Sequence, residues 1–282
     1  MIIINPNKKK VDIIILAGQS NAEGTGIGKS SVPWIPREDI LTLKNEFLWS
    51  AGKHPDGYEY VVIDADEKAH IEVATERYDG EFNRGCFALE FAKLYADKYL
   101  EKDRQLLIVF APVGGTGFFA KHWGEGEILY NRMLDMVSSA LKMNEENRVV
   151  AFLWHQGEHE VDDGEIRFTL EENKSEGKYK YYKNKVAPVF NAVRNNFGKE
   201  IPIISGEFCN HWAKKRLSQV NAIYKAQIDL FNDMGYGGFV KASDLKSNDE
   251  EVGNGDYIHF CKESLRILGQ RFFEAYQNII NK

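Results

Sequence analysis

Six short apolar, β-branched runs, set far apart along the chain, constrain its fold more than any other feature. They are Val11–Ala17, Tyr60–Ile63, Leu106–Ala111, Arg148–Leu153, Ile201–Ser205 and Gly238–Ala242. Continuous rather than alternating apolar character fits strands buried on both faces. Longer amphipathic stretches lie between several of them. Phe87–Leu100 places Phe87, Phe91, Leu94 and Tyr95 at helical spacing, and Leu129–Met143, Lys178–Phe197, Trp212–Met234 and Lys262–Ile280 read the same way. Gly198 supplies a stop for one of them. Strand and helix in alternation predict a parallel sheet with helices on both faces. With no internal repeat and no low-complexity linker, residues 1–282 are expected to form one domain.

Two regions break the alternation. Gly24–Asp79 is loop-rich, with only a weak strand near Tyr60, and His159–Gly177 is polar and charged. Each follows a segment that carries candidate chemistry. Ligands of parallel α/β sheets bind beyond the carboxyl ends of the strands, so these insertions are expected to wall a cleft.

Composition narrows the function classes. At 43% hydrophobic and 28% charged residues the chain can bury a core and is not disordered. Net charge is −6, with Lys and Arg scattered among acids, so nucleic acid is not an expected partner. Cys86, Cys209 and Cys261 form no CxxC and suggest reduced thiols rather than a disulfide framework or zinc ribbon. No apolar run approaches transmembrane length, so no membrane partner is expected. The opening MIIINPNKKK is too short for a signal-peptide apolar region and has its basic residues on the wrong side. If Met1 is the native start, a cytoplasmic location is expected; a leader removed beforehand would change that.

Four segments carry chemistry. In Gly18-Gln19-Ser20-Asn21 a strand runs straight into a serine, which a tight turn can expose as a nucleophile while its own N–H serves the resulting oxyanion. A plain helix N-cap is the bland alternative. Ala22 excludes the GxSxG elbow of α/β-hydrolases. Pro112-Val113-Gly114-Gly115-Thr116 follows another strand. Its glycines free N–H groups for a ligand, but neither GxxxxGK[ST] nor GxGxxG is present, so a nucleotide is not indicated. His155-Gln156-Gly157-Glu158-His159 matches H-x-x-E-H letter by letter. That metal chemistry needs both histidines on one helix face, and Gly157 together with the strand leading in argues against a helix. The alternative is Gln156 aimed into the cleft as an oxyanion donor, with Glu158 buried nearby. Last, Asp256-Tyr257-Ile258-His259 can close one turn, so that the carboxylate accepts from one imidazole nitrogen while the other faces a serine.

In the order GQSN, GGT, HQGE, DxxH, these segments resemble the SGNH-hydrolase superfamily, in particular its carbohydrate esterases: family 6 acetylxylan esterases and sialate O-acetylesterase-like proteins. Arg84–Ala92, Trp123 and Leu268-Gly269-Gln270-Arg271 are smaller echoes, and the similarity spans most of the chain. The resemblance implies a three-layer α/β/α sandwich with a short parallel sheet, flavodoxin-like in plan. It implies Ser20 as nucleophile, His259 as base and Asp256 as the orienting carboxylate, with Glu158 a competitor for that last role. Oxyanion donors would be the N–H of Ser20, an N–H of Gly114 or Gly115, and the Gln156 side chain; Gln19, Asn21, Trp123 and His155 would contact substrate.

The implied reaction is hydrolysis of O-acetyl esters of a carbohydrate through an acetyl-enzyme, with no metal or organic cofactor. Acetylxylan fragments, other acetylated oligosaccharides and sialates all remain open as substrates, and so does a homo-oligomer. Ala22 where Met is common, His159-Glu160 where Ser-Asp is common, and the bulk of Tyr257 put substrate preference in question rather than mechanism. Two rivals stand beside this reading. One is a metalloenzyme on His155, Glu158 and His159; the other is a non-catalytic sugar-binding protein using Trp34, Trp49, Trp123 and Trp212.

Overall fold

Strand β1 (Lys10–Gly18) is the axis of the molecule. Val11, Ile13, Ile15 and Ala17 point into one hydrophobic core, and Ile14 and Leu16 into another on the opposite face. A strand can bury alternate side chains in two cores only if helices cover both faces of its sheet. The computed structural model describes residues 10–45, 49–53, 59–63, 69–162 and 175–282, and within these the covering layers are present.

The sheet also contains β2 (Ile40–Asn45), β3 (Ala69–Val73), β4 (Arg104–Phe110), β5 (Arg148–His155), β6 (Ile203–Gly206) and β7 (Gly237–Val240). Spatial order is β7-β6-β5-β1-β4-β2-β3. All neighbours are parallel except the antiparallel edge pair β2 and β3. One core packs under helices α2 (Ile128–Lys142), α3 (Ser175–Phe197) and α4 (Leu217–Met234). The other packs under α1 (Phe87–Tyr99) and α5 (Lys262–Ile280), through Phe87, Phe91, Leu268 and Phe272. This is the expected three-layer α/β/α arrangement. β1 lies between β4 and β5, and the chain crosses from one side of it to the other in passing from β4 to β5, so the carboxyl end of β1 lies where a ligand crevice forms in such sheets.

Two elements correct the sequence reading. The region Gly24–Asp79 contributes β2 and β3 to the main sheet, while the strand near Tyr60 (Glu59–Ile63) pairs with Trp49–Lys53 in a separate hairpin. Both β2 and β3 mix polar residues among apolar ones, as strands at a sheet edge do, and lack the continuous apolar signature. Lys44 Nζ on β2 donates to Glu72 on β3 at 2.6 Å, a cross-strand pair that helps to fix their register. The other correction falls at Trp212, which sits on its own short helix, Asn210–Ala213, ahead of α4. Within the insertion His159–Gly177, residues 163–174 lie outside the described residues.

At the opposite end of the sheet from the crevice, Asp12 is fully buried yet charged by composition. It accepts hydrogen bonds from Arg104 Nε (2.7 Å), Arg148 Nε (2.7 Å) and the Tyr95 hydroxyl (2.8 Å). Burying an ion is tolerable only with such complete partnering.

Candidate active site

The turn after β1 is set by a close approach of backbone to backbone. Gly18 has φ 128°, and a Cβ there would overlap the carbonyl oxygen of His155 on β5. Only glycine accepts both conditions. Gln19 N–H then donates to that same oxygen at 3.0 Å, and the chain enters a single helical turn, Ser20–Glu23. Ser20 therefore stands at the carboxyl end of the central strand, where the first N–H groups of a helical turn have no intrahelical acceptor.

The imidazole that meets it comes from the far end of the chain. His259 Nε2 lies 2.9 Å from Ser20 Oγ, and its Nδ1 lies 2.9 Å from both carboxylate oxygens of Asp256. With the Nδ1 proton donated to Asp256, Nε2 is left as acceptor for the serine hydroxyl. The main-chain N–H of His259 also donates to Asp256 Oδ1 at 3.2 Å, which fixes the turn. Burial opposes the Asp256 charge, but hydrogen bonds from His259 and Asn248 and the imidazole's charge outweigh it and hold the carboxyl down to about 2.

The loop after β4 brings the third component. Val113 N–H donates to Gly18 O at 3.1 Å, so the glycine loop is pinned to the serine turn. Gly114 lies close to the serine: a Cβ on it would sit 3.5 Å from Ser20 Cβ. Its N–H donates to Glu23 Oε2 at 2.8 Å, and the other Glu23 oxygen accepts from Arg77. Gly115 is exposed at the tip of the loop with φ 68°. Hydroxyl, base, carboxylate and a glycine N–H thus converge on one point, an arrangement suited to nucleophilic attack on a carbonyl.

Residues 10–278 match the model of the carbohydrate esterase family described as sialic acid-specific acetylesterase. The chain belongs to that family. Among solved structures, NanS aligns with TM-score 0.68 at 18% identity, covering 98% of this chain and 99% of that one. A protein from Arabidopsis thaliana aligns with TM-score 0.63 at 20% identity, covering 96% and 98%. These likenesses show the fold. No curated protein sequence matches the chain. The esterase is thus a carboxylic ester hydrolase of the acetylesterase kind.

Several residues of the esterase sit differently from what their motifs suggest. Glu158 does not meet His259; its Oε1 accepts from Asn21 Nδ2 at 2.9 Å and lies 3.6 Å from His155 Nδ1. The carboxylate on His259 is that of Asp256. Gln156 is buried and its amide donates to Glu160. Burial raises the Glu160 carboxyl above the ordinary range, although the His159 charge and hydrogen bonds from Gln156, Phe118 and Phe119 oppose this.

The four expected substrate contacts, Gln19, Asn21, Trp123 and His155, are all buried and hydrogen-bonded within the protein. Gln19 Oε1 accepts from Gly157 N–H at 3.2 Å. Asn21 Nδ2 reaches Ile258 O as well as Glu158, and its Oδ1 accepts from Phe260 N–H at 3.1 Å. His155 Nε2 lies 3.1 Å from Glu207 O, and Trp123 Nε1 donates to Thr116 Oγ1 at 2.9 Å. These bonds hold the loops around Ser20 together. Trp212 is core as well, and Trp34 donates to Ala74 O; the side chain of Trp49 lies outside the described residues.

His155 ends β5 and the next helix opens only at Glu158, so His155 and His159 do not share a helix face. Among the described residues no helix is long and apolar enough to cross a membrane. Burial pushes the Cys86 thiol up to about 11 and Cys209 up to about 12, so neither offers a thiolate to compete with Ser20.

Three site residues escaped the sequence reading. Asn248 is fully buried and donates through Nδ2 to Asp256 Oδ2 and to Thr25 O, while its Oδ1 accepts from Ile27 N–H. Its signal was the capping box Ser247-x-x-Glu250, which marks a helix start just ahead of the DxxH turn. Glu23 lies three residues after Ser20, one helical turn on and so on the same face. Arg77 carries no local signal at all.

Proposed function

We propose that the esterase removes O-acetyl groups from sugars of the sialic acid type through an acetyl-Ser20 intermediate. The observation that carries this reading is the 2.9 Å approach of His259 Nε2 to Ser20 Oγ, backed by Asp256. The sialate substrate is favoured over acetylated xylan by the description of the matching family.

In the first half-reaction His259 Nε2 takes the hydroxyl proton as Oγ bonds to the acetyl carbon, and the carbonyl electron pair moves onto oxygen. In this mechanism the N–H groups of Ser20 and of Gly114 or Gly115 would receive that oxygen. The bond to the sugar oxygen then breaks, and that oxygen leaves with the proton from Nε2. Water repeats the sequence on the acetyl-enzyme: Nε2 takes its proton, acetate departs, and Oγ recovers a proton.

The test is acetate release from O-acetylated sialic acid and from acetylated xylo-oligosaccharides, by the native protein and by Ser20→Ala. Loss of turnover on the order of 10⁴-fold or more in a folded Ser20→Ala is expected. Equal turnover by the two proteins would remove Ser20 from the chemistry. Preference for the xylan fragments would replace the sialate assignment while leaving the mechanism.

A further inference from the structure

Glu23 occupies a place that catalysis needs. Its Oε2 accepts from the Gly114 N–H at 2.8 Å, beside Ser20, and its Oε1 is held by Arg77. Arg77 belongs to a small hairpin, Arg77–Tyr78 with Asn83–Arg84, and is 44% exposed against 14% for Glu23. A cavity of about 200 Å³ lies against this pair, lined also by Leu16, Lys44, Arg84 and Pro112.

The bond from Glu23 is not required to shape the glycine loop. Val113 N–H is anchored on Gly18 O, the Thr116 hydroxyl donates to Val113 O at 2.6 Å, Trp123 holds that hydroxyl, and Gly117 N–H donates to His122 Nδ1. What Glu23 adds is a carboxylate on a glycine N–H beside the nucleophile. Chemically it is the same group as the acetate that the reaction releases. An N–H that already serves one anion is not available to a second, and a carboxylate next to a forming oxyanion repels it.

We infer that Glu23 is a built-in occupant of the oxyanion site, latched by Arg77, which the ester must displace before Ser20 can react. This rests on the serine mechanism proposed above. Glu23 is a long side chain on a helical turn at the cleft, so swinging it outward frees the Gly114 N–H without moving the loop. The same contact keeps free acetate out of the site, because acetate would have to compete with a tethered copy of itself.

The experiment compares the native protein with Glu23→Ala and Glu23→Gln, using 4-nitrophenyl acetate as substrate and sodium acetate as inhibitor, after circular dichroism has shown each variant to be folded. For Glu23→Ala the inhibition constant of acetate is expected to fall by about tenfold, the worth of one hydrogen bond to a charged group, while kcat/KM rises. Glu23→Gln keeps the size but loses the charge and the Arg77 latch; it should move both quantities the same way by less, and it carries the test if the alanine variant does not fold. A fall in kcat/KM with acetate inhibition unchanged or weaker would overturn the inference and make Glu23 a support for the loop. Ser20→Ala is run alongside: if it still turns over, the serine mechanism fails, an outcome distinct from any result at Glu23.

Discussion

Asn248 Nδ2 donates to the same carboxylate that orients the base, reaching Asp256 Oδ2 at 2.9 Å from a fully buried position. Its backbone N–H donates to His259 O at 2.9 Å, and its other amide contacts go to Thr25 and Ile27, just beyond the serine turn. One residue therefore joins the Asp256, His259 and Ser20 loops. Asn248→Ala is expected to lower kcat/KM by about tenfold or more, as loss of a hydrogen bond to a charged group would. It should also lower the unfolding midpoint. Asn248→Asp, which puts a second carboxylate against Asp256, should be worse; steady-state kinetics and thermal melts on both variants check this.

Asp256→Asn keeps the shape of the turn and removes the charge. The imidazole then loses the acceptor that fixes its tautomer, and kcat is expected to fall on the order of 10³–10⁴-fold. Stability gives an independent reading. The folded carboxyl is held at about 2 against an ordinary 3.8, so its contribution is fully present above the ordinary value and disappears as pH falls through about 2. The full difference corresponds to about 2 kcal/mol, which partial exposure reduces to roughly 1 kcal/mol. Urea unfolding should show Asp256→Asn less stable than the native protein at neutral pH, with the gap closing at the acid end of that window.

Glu158 acts at one remove. It receives Asn21 Nδ2, and Asn21 in turn holds Ile258 O and Phe260 N–H on either side of the base. In Glu158→Gln the amide oxygen can still receive Asn21, so activity should drop by less than about tenfold. A loss as large as that of Asp256→Asn would instead mark Glu158 as the carboxylate serving His259. Parallel kcat measurements on the two variants decide between them.

Asp12 concerns stability alone. Replacing it by Ala leaves Arg104, 5% exposed, buried without its counter-ion. A cost of about 3–5 kcal/mol is expected. Turnover per folded molecule should be unchanged, because the cluster lies at the end of β1 remote from Ser20. Chemical denaturation combined with active-site titration separates the two effects.

Much of the framework was legible because burial on both sides writes a continuous apolar run, as in Val11–Ala17 and Leu106–Ala111, and the two-sided helical layers follow from it. Strands β2 and β3 were not legible, since an edge needs only part of its surface buried and Thr42, Lys44, His70 and Glu72 dilute the pattern. At the site, Ser20, Asp256 and His259 come together as their motifs suggest. The buried hydrogen bonds of Gln19, Asn21, His155 and Trp123 were not legible, because a polar side chain beside a serine turn can hold a loop or hold a ligand, and residue type does not separate the two. The pair Glu23 and Arg77 depends on two turns 54 residues apart, with nothing in either stretch to announce the other.

Ser20 and His259 are 239 residues apart, and His259 sits on the turn that leads into α5. A ribosome making this chain completes the serine turn 239 residues before it reaches the imidazole. Until α5 docks against α1, the Ser20 hydroxyl has no imidazole beside it. On the mechanism proposed above, the emerging polypeptide is therefore chemically silent toward esters until these two distant segments close on each other.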